Sequence, residues 1–505
     1  VNGTDENPLD LLPEVLLAGC AVLALLLGCW LPRHRQWLAG ALAVTGCAAG
    51  LVAAAVAAAG PTGTAFDASY AVDPVTSTGR IVILGGTLLV LLLSLTSPWL
   101  RAAPRETEFY VLVLLAAVGA VLLAGAQDLL LLAAGYLLAS VPAYALAGFA
   151  RDGRGTEAAL KYYVLGALLG VLLLTGVTVL LAAGHGTGYP ALRRELPDAP
   201  VGLVITGGLG VLAGVLFKSG GVPAHYWLPD AVQGSLAPVG AFLTTVPKIG
   251  ALAAGYRLAA GPLADTGRWW PDLVAVVAVA SMTLGNLAAF SQRDVRRLLA
   301  YSTISQVGYL LLPVAVAGRT ALDQRALLFY LAGYAVTNLG AFAVVCALPR
   351  ARHLADYRGL ARERPALAVA LVVCLLGLVG TPPTAVFLGK LAVFSAAFDA
   401  GYTWLAVVAA ANTVASLFYY LRWIAPTVLG TAPPGDEDRD GDGGRVGNGN
   451  AGRAGADPLA GGHATGDATF AGGAVLVAYP AAAASVLLGL LGGPVLDLLA
   501  GPLAG

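Results

Sequence analysis

Apolar residues fill long uninterrupted runs along this chain, and the polar and charged residues collect between them. Runs of about 18 or more apolar residues are each long enough, as helices, to cross a hydrocarbon core of roughly 30 Å. They predict about fourteen spans, at 11–30, 37–59, 76–97, 109–125, 128–150, 159–183, 201–221, 235–258, 271–291, 297–317, 325–347, 365–398, 402–425 and 471–498. Backbone polar groups in lipid must be satisfied within their own segment, so the expected fold is all-α, a polytopic transmembrane helix bundle. The Gly/Asp/Pro-rich stretch 426–470, with DEDRDGDGG at its heart, has too few apolar residues to pack and is expected to be a disordered cytoplasmic loop.

Two of these runs are interrupted. Gly220-Gly221-Val222-Pro223 breaks or ends the seventh, and Gly380-Thr381-Pro382-Pro383 splits the twelfth. Unwound backbone at membrane depth survives only where protein or water covers it, so each break marks a buried or hydrated path. A lysine lies within about two helical turns of each break, Lys218 at one and Lys390 at the other. Spans four to eight and nine to thirteen are expected to form inverted repeats of five helices, with the broken helices 7 and 12 as the fourth member of each. The organisation is then 1–104, three N-terminal helices; 105–425, a core of helices 4 to 13 holding both repeats; the loop 426–470; and 471–505, a fourteenth helix.

Composition agrees with the pattern. The hydrophobic fraction is 58% and the charged fraction 11%, with a mean hydropathy of +0.78, whereas soluble domains carry roughly a quarter charged residues. Net charge is zero, which gives no electrostatic case for nucleic acid. The five cysteines, Cys20, Cys29, Cys47, Cys346 and Cys374, lie in apolar stretches without CxxC or Cys/His clustering, and read as packing residues. The polar, acidic stretch Val1–Asp10 lacks the basic region of a cleavable signal, so the first apolar run is expected to be a retained span. With that end outside, inside connections hold nineteen Lys and Arg against seven outside, counting Arg80 and Arg257 among the latter, and both termini are expected on the external side.

Lys218, Lys248 and Lys390 fall within spans. A charged lysine at a helix centre costs roughly 2.5–3.5 kcal/mol on insertion scales, and helix stability alone does not require it. One reading is a set of buried amines, each able to gain and lose a proton; the other is snorkelling to the interface. His225, in VPAHYWLPD between two of the lysines, reads as a proton-relay group or an ordinary boundary residue. Lys161 belongs to the same path or simply pairs with Glu157 one turn away. Asp73 and Asp128 read as solvated helix-start carboxylates. No phosphate-cradling loop or nucleophile–base set appears, so no electron carrier or nucleotide is expected in this chain.

The motifs carry a resemblance. FKSGGVPAHYWLPDAVQGSLAPVGAFLTTVPKIGA (217–251), RRLLAYSTISQVGYLLL (296–312), YLAGYAVTNLGAFAVV (330–345) and LVGTPPTAVFLGKLAVF (378–394) resemble the antiporter-like subunits of NADH-quinone oxidoreductase, complex I, and their cation/proton antiporter relatives. Gln233-Gly234, Thr245-Val246-Pro247-Lys248 and Lys390 are similar to the subunit N family in particular. The resemblance implies a proton-transfer axis of Lys218, Lys248 and Lys390 with Lys161 and His225 as connecting groups. It places the chain in a bacterial cell membrane beside other membrane-arm subunits. Quinone, NADH, FMN and iron–sulfur clusters are then expected in the partner subunits and none of them here. Two positions depart from the family. Leu137 stands where a glutamate is usual, which removes an anion from beside the neighbouring lysine, and Gln306 stands where a histidine is common. Proton pumping coupled to quinone reduction is the leading expectation; a cation/proton antiporter subunit and a non-pumping structural subunit are the alternatives.

Overall fold

A computed structural model describes residues 8–430 and 464–504. Most of the loop expected at 426–470 lies outside the described residues. The spans appear as helices α1 (Leu12–Trp30), α2 (Trp37–Ala58), α3 (Pro74–Leu95), α4 (Glu106–Gly125), α5 (Leu129–Ala147), α6 (Gly153–Gly184), α7 (Val201–Ser219), α8 (Trp227–Gly234) and α9 (Ala237–Ala260). They continue as α10 (Trp269–Phe290), α11 (Val295–Ala315), α12 (Asp323–Ala347), α13 (Pro365–Val379), α14 (Ala385–Asp399), α15 (Thr403–Leu429) and α16 (Ala464–Leu490). Thirteen helical stretches among the described residues have the length and apolarity to cross a membrane. The fourteenth span is the split one: α13 has 15 residues, which rise only about 22 Å, and α14 continues it beyond the break.

Local chemistry sets the boundaries. Asp73, Asp128, Asp152 and Asp294 each cap a helix start by accepting backbone N–H bonds from the first turn. α7 and α13 both end on a left-handed glycine, Gly220 at φ 79° and Gly380 at φ 89°. At each end the glycine and the next residue donate back to the carbonyls of the preceding turn, Leu216 and Phe217 in one case and Leu376 and Gly377 in the other.

These ends expose the inverted repeat. The glycines, the prolines Pro223 and Pro383 and the last helical residues Ser219 and Val379 all recur 160 positions apart. Asp128 bridges to Gly188 and Asp294 to His353 in matching antiparallel contacts. Five crossings separate those two aspartates, so the matching contacts lie on opposite faces of the bundle. α9, α11 and α12 are enclosed by other helices, while α1, α2, α6 and α15 carry wide apolar faces outward, including Leu160, Leu168, Val414 and Phe418. In water such faces would drive association; here they meet lipid or neighbouring helices.

Two cations assigned to outside connections are inside the protein instead. Arg80 lies in α3 and pairs with Glu14 of α1, its Nε 2.7 Å from Oε1, while Tyr70 donates to the same carboxylate. Arg257 lies in α9 and grips Asp73 with both terminal nitrogens, at 2.9 and 2.6 Å, and donates from Nε to the Ala124 carbonyl. Asp73 is therefore a buried ion-pair partner as well as a cap, not a solvated carboxylate: its side chain is fully covered. The Ala504 N–H reaches Asp73, and the Asp10 carbonyl accepts from Arg80, so the first and last described segments meet at one face.

Removing one partner of a buried pair leaves the other uncompensated. Asp73→Ala is expected to cost about 3–5 kcal/mol, whereas Asp265→Ala, which breaks the exposed Arg193 pair, should cost no more than about 1 kcal/mol. Thermal unfolding of the purified protein in detergent compares them, and equal shifts would contradict the assignment.

Candidate proton-transfer site

A helix that stops inside a protein leaves its last carbonyls without intrahelical partners and with the negative end of its dipole. At the α7 break the Phe217 carbonyl accepts from Trp227 Nε1 at 3.1 Å, and the Ser219 carbonyl accepts from Lys248 Nζ. At the α13 break the Leu378 carbonyl accepts from Gln306 Nε2 at 2.8 Å, and the Val379 carbonyl accepts from Lys390 Nζ at 2.8 Å. Ser219 and Val379 are equivalent positions of the two repeats. The same orphaned carbonyl is thus met by a lysine amine in each half.

Lys218 and Lys390 are not equivalent to each other. Lys218 lies before its break, on the last turn of α7, and Lys390 after its break, on α14. The Lys218 amine donates to Ser140 Oγ of α5 at 2.9 Å and faces the Tyr136 ring. Lys248 faces the Trp227 ring, and Lys390 sits 4.2 Å from the Tyr309 ring centre. The three lysines are 1%, 1% and 3% exposed, which rules out snorkelling. Among the described residues, no ion pair involves any of them.

A string of buried polar groups runs between Lys248 and Lys390. Thr244 and Thr245, one turn before Lys248 on α9, both accept from Asn338 Nδ2 at 2.9 Å. Tyr334 donates to the Thr244 carbonyl at 2.7 Å and to Thr303 Oγ1 at 3.1 Å. One turn along α11 from Thr303, Gln306 accepts from Tyr330 and donates to the carbonyl next to the one that holds Lys390. Asn338 Oδ1 and Ser305 Oγ are buried without a protein partner, as expected of groups that hydrogen-bond water.

The other two sequence candidates stand apart from the amines. His225, in the α7–α8 connection, is 9% exposed; its Nδ1 is buried without a protein partner and its ring lies against Tyr226. Lys161 is 46% exposed and bonds Glu157 at 2.7 Å, as its spacing predicts, and also Asp230 of α8 at 2.9 Å. Arg297 joins the same Asp230 carboxylate, so this cluster pins α8 to α6 and α11. Leu137 points outward at 45% exposure. The Lys218 environment is therefore set by Tyr136 and Ser140, on the adjoining buried flank of α5.

The sequence reading did not single out Ser140, Tyr136, Thr244, Tyr334 or Asn338. A signal was present: Tyr136/Ser140, Thr244/Lys248 and Tyr330/Tyr334/Asn338 each recur at four-residue spacing, which lines one face of a helix.

Paired inverted helix breaks, with buried amines on the exposed carbonyls and a polar string between them, define an antiporter-like transmembrane subunit. The family model for the transmembrane region of NADH:quinone oxidoreductase and Mrp antiporters matches residues 126–416. NADH-quinone oxidoreductase subunit N of Mycobacterium sp. (strain JLS) is 53% identical over 433 residues, covering 86% of this chain and 92% of that protein. A chain of respiratory complex I from Thermus thermophilus with bound aureothin aligns with a TM-score of 0.75 at 32% identity, covering 97% and 100%. A chain of the Mrp complex from Dietzia sp. DQ12-45-1b aligns at 0.79 with 23% identity, over 97% and 96%, which shows the shared fold alone. The chain belongs to the NADH-quinone oxidoreductase subunit N family.

Gly220 tests the contact at the first break. A Cβ there would lie 2.7 Å from Lys248 Nζ, at a φ that L residues avoid, whereas a Cβ on Gly202, in the same helix, meets nothing within 4 Å. Gly220→Ala is expected to lower stability by about 1–2 kcal/mol from backbone conformation alone, and Gly202→Ala to leave it unchanged or raised. Identical unfolding midpoints for the two variants would contradict the geometry.

Proposed function

We propose that this chain translocates protons as a membrane subunit of an NADH-quinone oxidoreductase, coupled to quinone reduction in other subunits. The observation that carries the reading is the set of interior lysines held by neutral acceptors. An amine on a hydroxyl or carbonyl is held by one charge-assisted bond worth about 1.5–3 kcal/mol, so its proton can leave without opening an ion pair. Hydroxyls, amides and the partnerless groups beside them supply the short steps between amines. In this reading His225 and Lys161 connect the axis to the bundle surface, and the protein serves as a translocase without a redox centre of its own.

The named relatives support the partner assignment to other membrane-arm subunits; in this reading NADH, FMN, iron–sulfur clusters and quinone are bound by partner subunits of the complex. The arginine and lysine distribution supports a bacterial plasma-membrane orientation with both termini external. Moving Arg80 and Arg257 from loops into buried pairs strengthens that bias, because both had counted against it. Leu137 favours a second reading, a structural subunit that does not pump.

Lys218→Ala, Lys248→Ala and Lys390→Ala in the assembled complex decide between the two. Each is expected to slow NADH-driven proton uptake into inverted vesicles by at least about tenfold, as loss of a positioned proton-transfer group does, with assembly preserved. Wild-type protons per NADH in all three variants would establish the structural role. Copurification with antiporter subunits, in place of oxidoreductase subunits, would redirect the coupling to an ion gradient.

A further inference from the structure

Resting on that reading, we propose that protons reach Lys218 through the Tyr144 and Ser140 hydroxyls, from a charged cleft between the ends of α4, α5 and α6. This route takes the place of a carboxylate at position 137. The cleft has a volume of about 350 Å³ and is lined by Arg105, Glu108, Arg151 and Tyr144 among others. Its charged residues come from the first turn of α4 and from the α5–α6 connection, so it opens at the face where α5 ends.

Tyr136, Ser140 and Tyr144 recur every fourth residue and line one flank of α5. Ser140 accepts from Lys218 Nζ at 2.9 Å and donates to the Tyr136 carbonyl at 2.6 Å. Tyr144 stands one turn beyond Ser140 on the same flank, with its hydroxyl turned into the bundle against Gly166 of α6. Three residues separate Tyr144 from the end of α5, about 5 Å of rise, and seven separate Ser140 from it, about 10 Å. The three groups thus descend in order from the cleft to the amine.

The opposing helix is shaped for this hydroxyl. Gly166 of α6 faces Tyr144, and a Cβ there would lie 2.0 Å from the phenolic oxygen. The Gly166 carbonyl accepts from Tyr136 at 3.2 Å. Tyr162 packs edge-on against Tyr144 with ring centres 4.6 Å apart, and its own hydroxyl is buried without a protein partner among the described residues.

Each step conserves charge. A proton from the cleft joins the Tyr144 oxygen as the phenolic proton passes to Ser140; the serine hydroxyl turns from the Tyr136 carbonyl and gives its proton to the free Lys218 amine. One proton moves and both hydroxyls are regenerated. Neither oxygen keeps a charge, so the route needs no ionised side chain between the cleft and the lysine.

Tyr144→Phe and Ser140→Ala each delete a single oxygen and keep the packing. In inverted vesicles containing the assembled complex, both are expected to lower protons moved per NADH to the level of Lys218→Ala, while Ser140→Thr, which restores a hydroxyl, keeps the wild-type ratio. Gly166→Ala retains every hydroxyl but displaces Tyr144, and is expected to show the same loss should Tyr144→Phe fail to assemble. Wild-type ratios in Tyr144→Phe or Gly166→Ala and in Ser140→Ala, beside a deficient Lys218→Ala, would overturn the route and leave the proposed function standing. A wild-type ratio in Lys218→Ala itself would remove both.

Discussion

A carbonyl freed by a helix break in a dry interior must find a donor, and this requirement organises the centre of the molecule. An unmet buried carbonyl costs on the order of 1–3 kcal/mol. Here Trp227, Lys248, Gln306 and Lys390 serve four carbonyls at two breaks, of which only Phe217 also has a backbone donor, Gly220. The donors come from α8, α9, α11 and α14, so each break is fixed both by the helix that follows it and by one further away in the chain. The backbone irregularity and the polar interior are therefore one feature: neither is tolerable without the other.

The two repeats solve this with the same frame and different side chains. Ser140 and Gln306 each stand twelve residues after their helix's capping aspartate, and Lys218 and Leu378 each stand two before the left-handed glycine. In the first half the serine hydroxyl meets the lysine side chain; in the second the glutamine amide meets the leucine carbonyl at the matching place. The second half places its lysine on α14 and sets the amine over the Tyr309 ring. Inverted symmetry thus constrains where polar groups must be, and leaves open which of them can carry a proton.

Features that depend on one helix at a time were legible in the sequence. Hydropathy located every span, and Gly-Gly-Val-Pro and Gly-Thr-Pro-Pro located both breaks, because insertion in lipid and loss of backbone donors are local properties. Pairings across helices were not. Arg80 meets Glu14 over 66 residues and Arg257 meets Asp73 over 184, and no periodicity links such partners. Arg80 and Arg257 were consequently placed in loops, and Asp73 in solvent. Lys161 showed its Glu157 neighbour by spacing but not Asp230, which reaches it from 69 residues away. At Leu137 the helical face mattered: the neighbouring positions 136 and 140 turn toward Lys218, and 137 turns outward.

The interior cations divide by chemistry. Arg80 and Arg257 are buried against carboxylates, and an arginine stays charged in any protein environment. Such a pair is a permanent clamp, and separating it would strand two charges at a cost of several kcal/mol. Lys218, Lys248 and Lys390 are buried against a hydroxyl and two carbonyls, and among the described residues none of them joins an ion pair. A dipole orients an ammonium without neutralising it. In the proposed function, a charge on one lysine is then felt by the others through an interior where charge interactions are poorly screened. Carboxylates placed beside the amines would strengthen the bundle and mute that communication. A chain that needed stability alone would use more pairs like Arg257 with Asp73; amines held on a hydroxyl and two carbonyls fit the proposed role, in which their charges respond to one another.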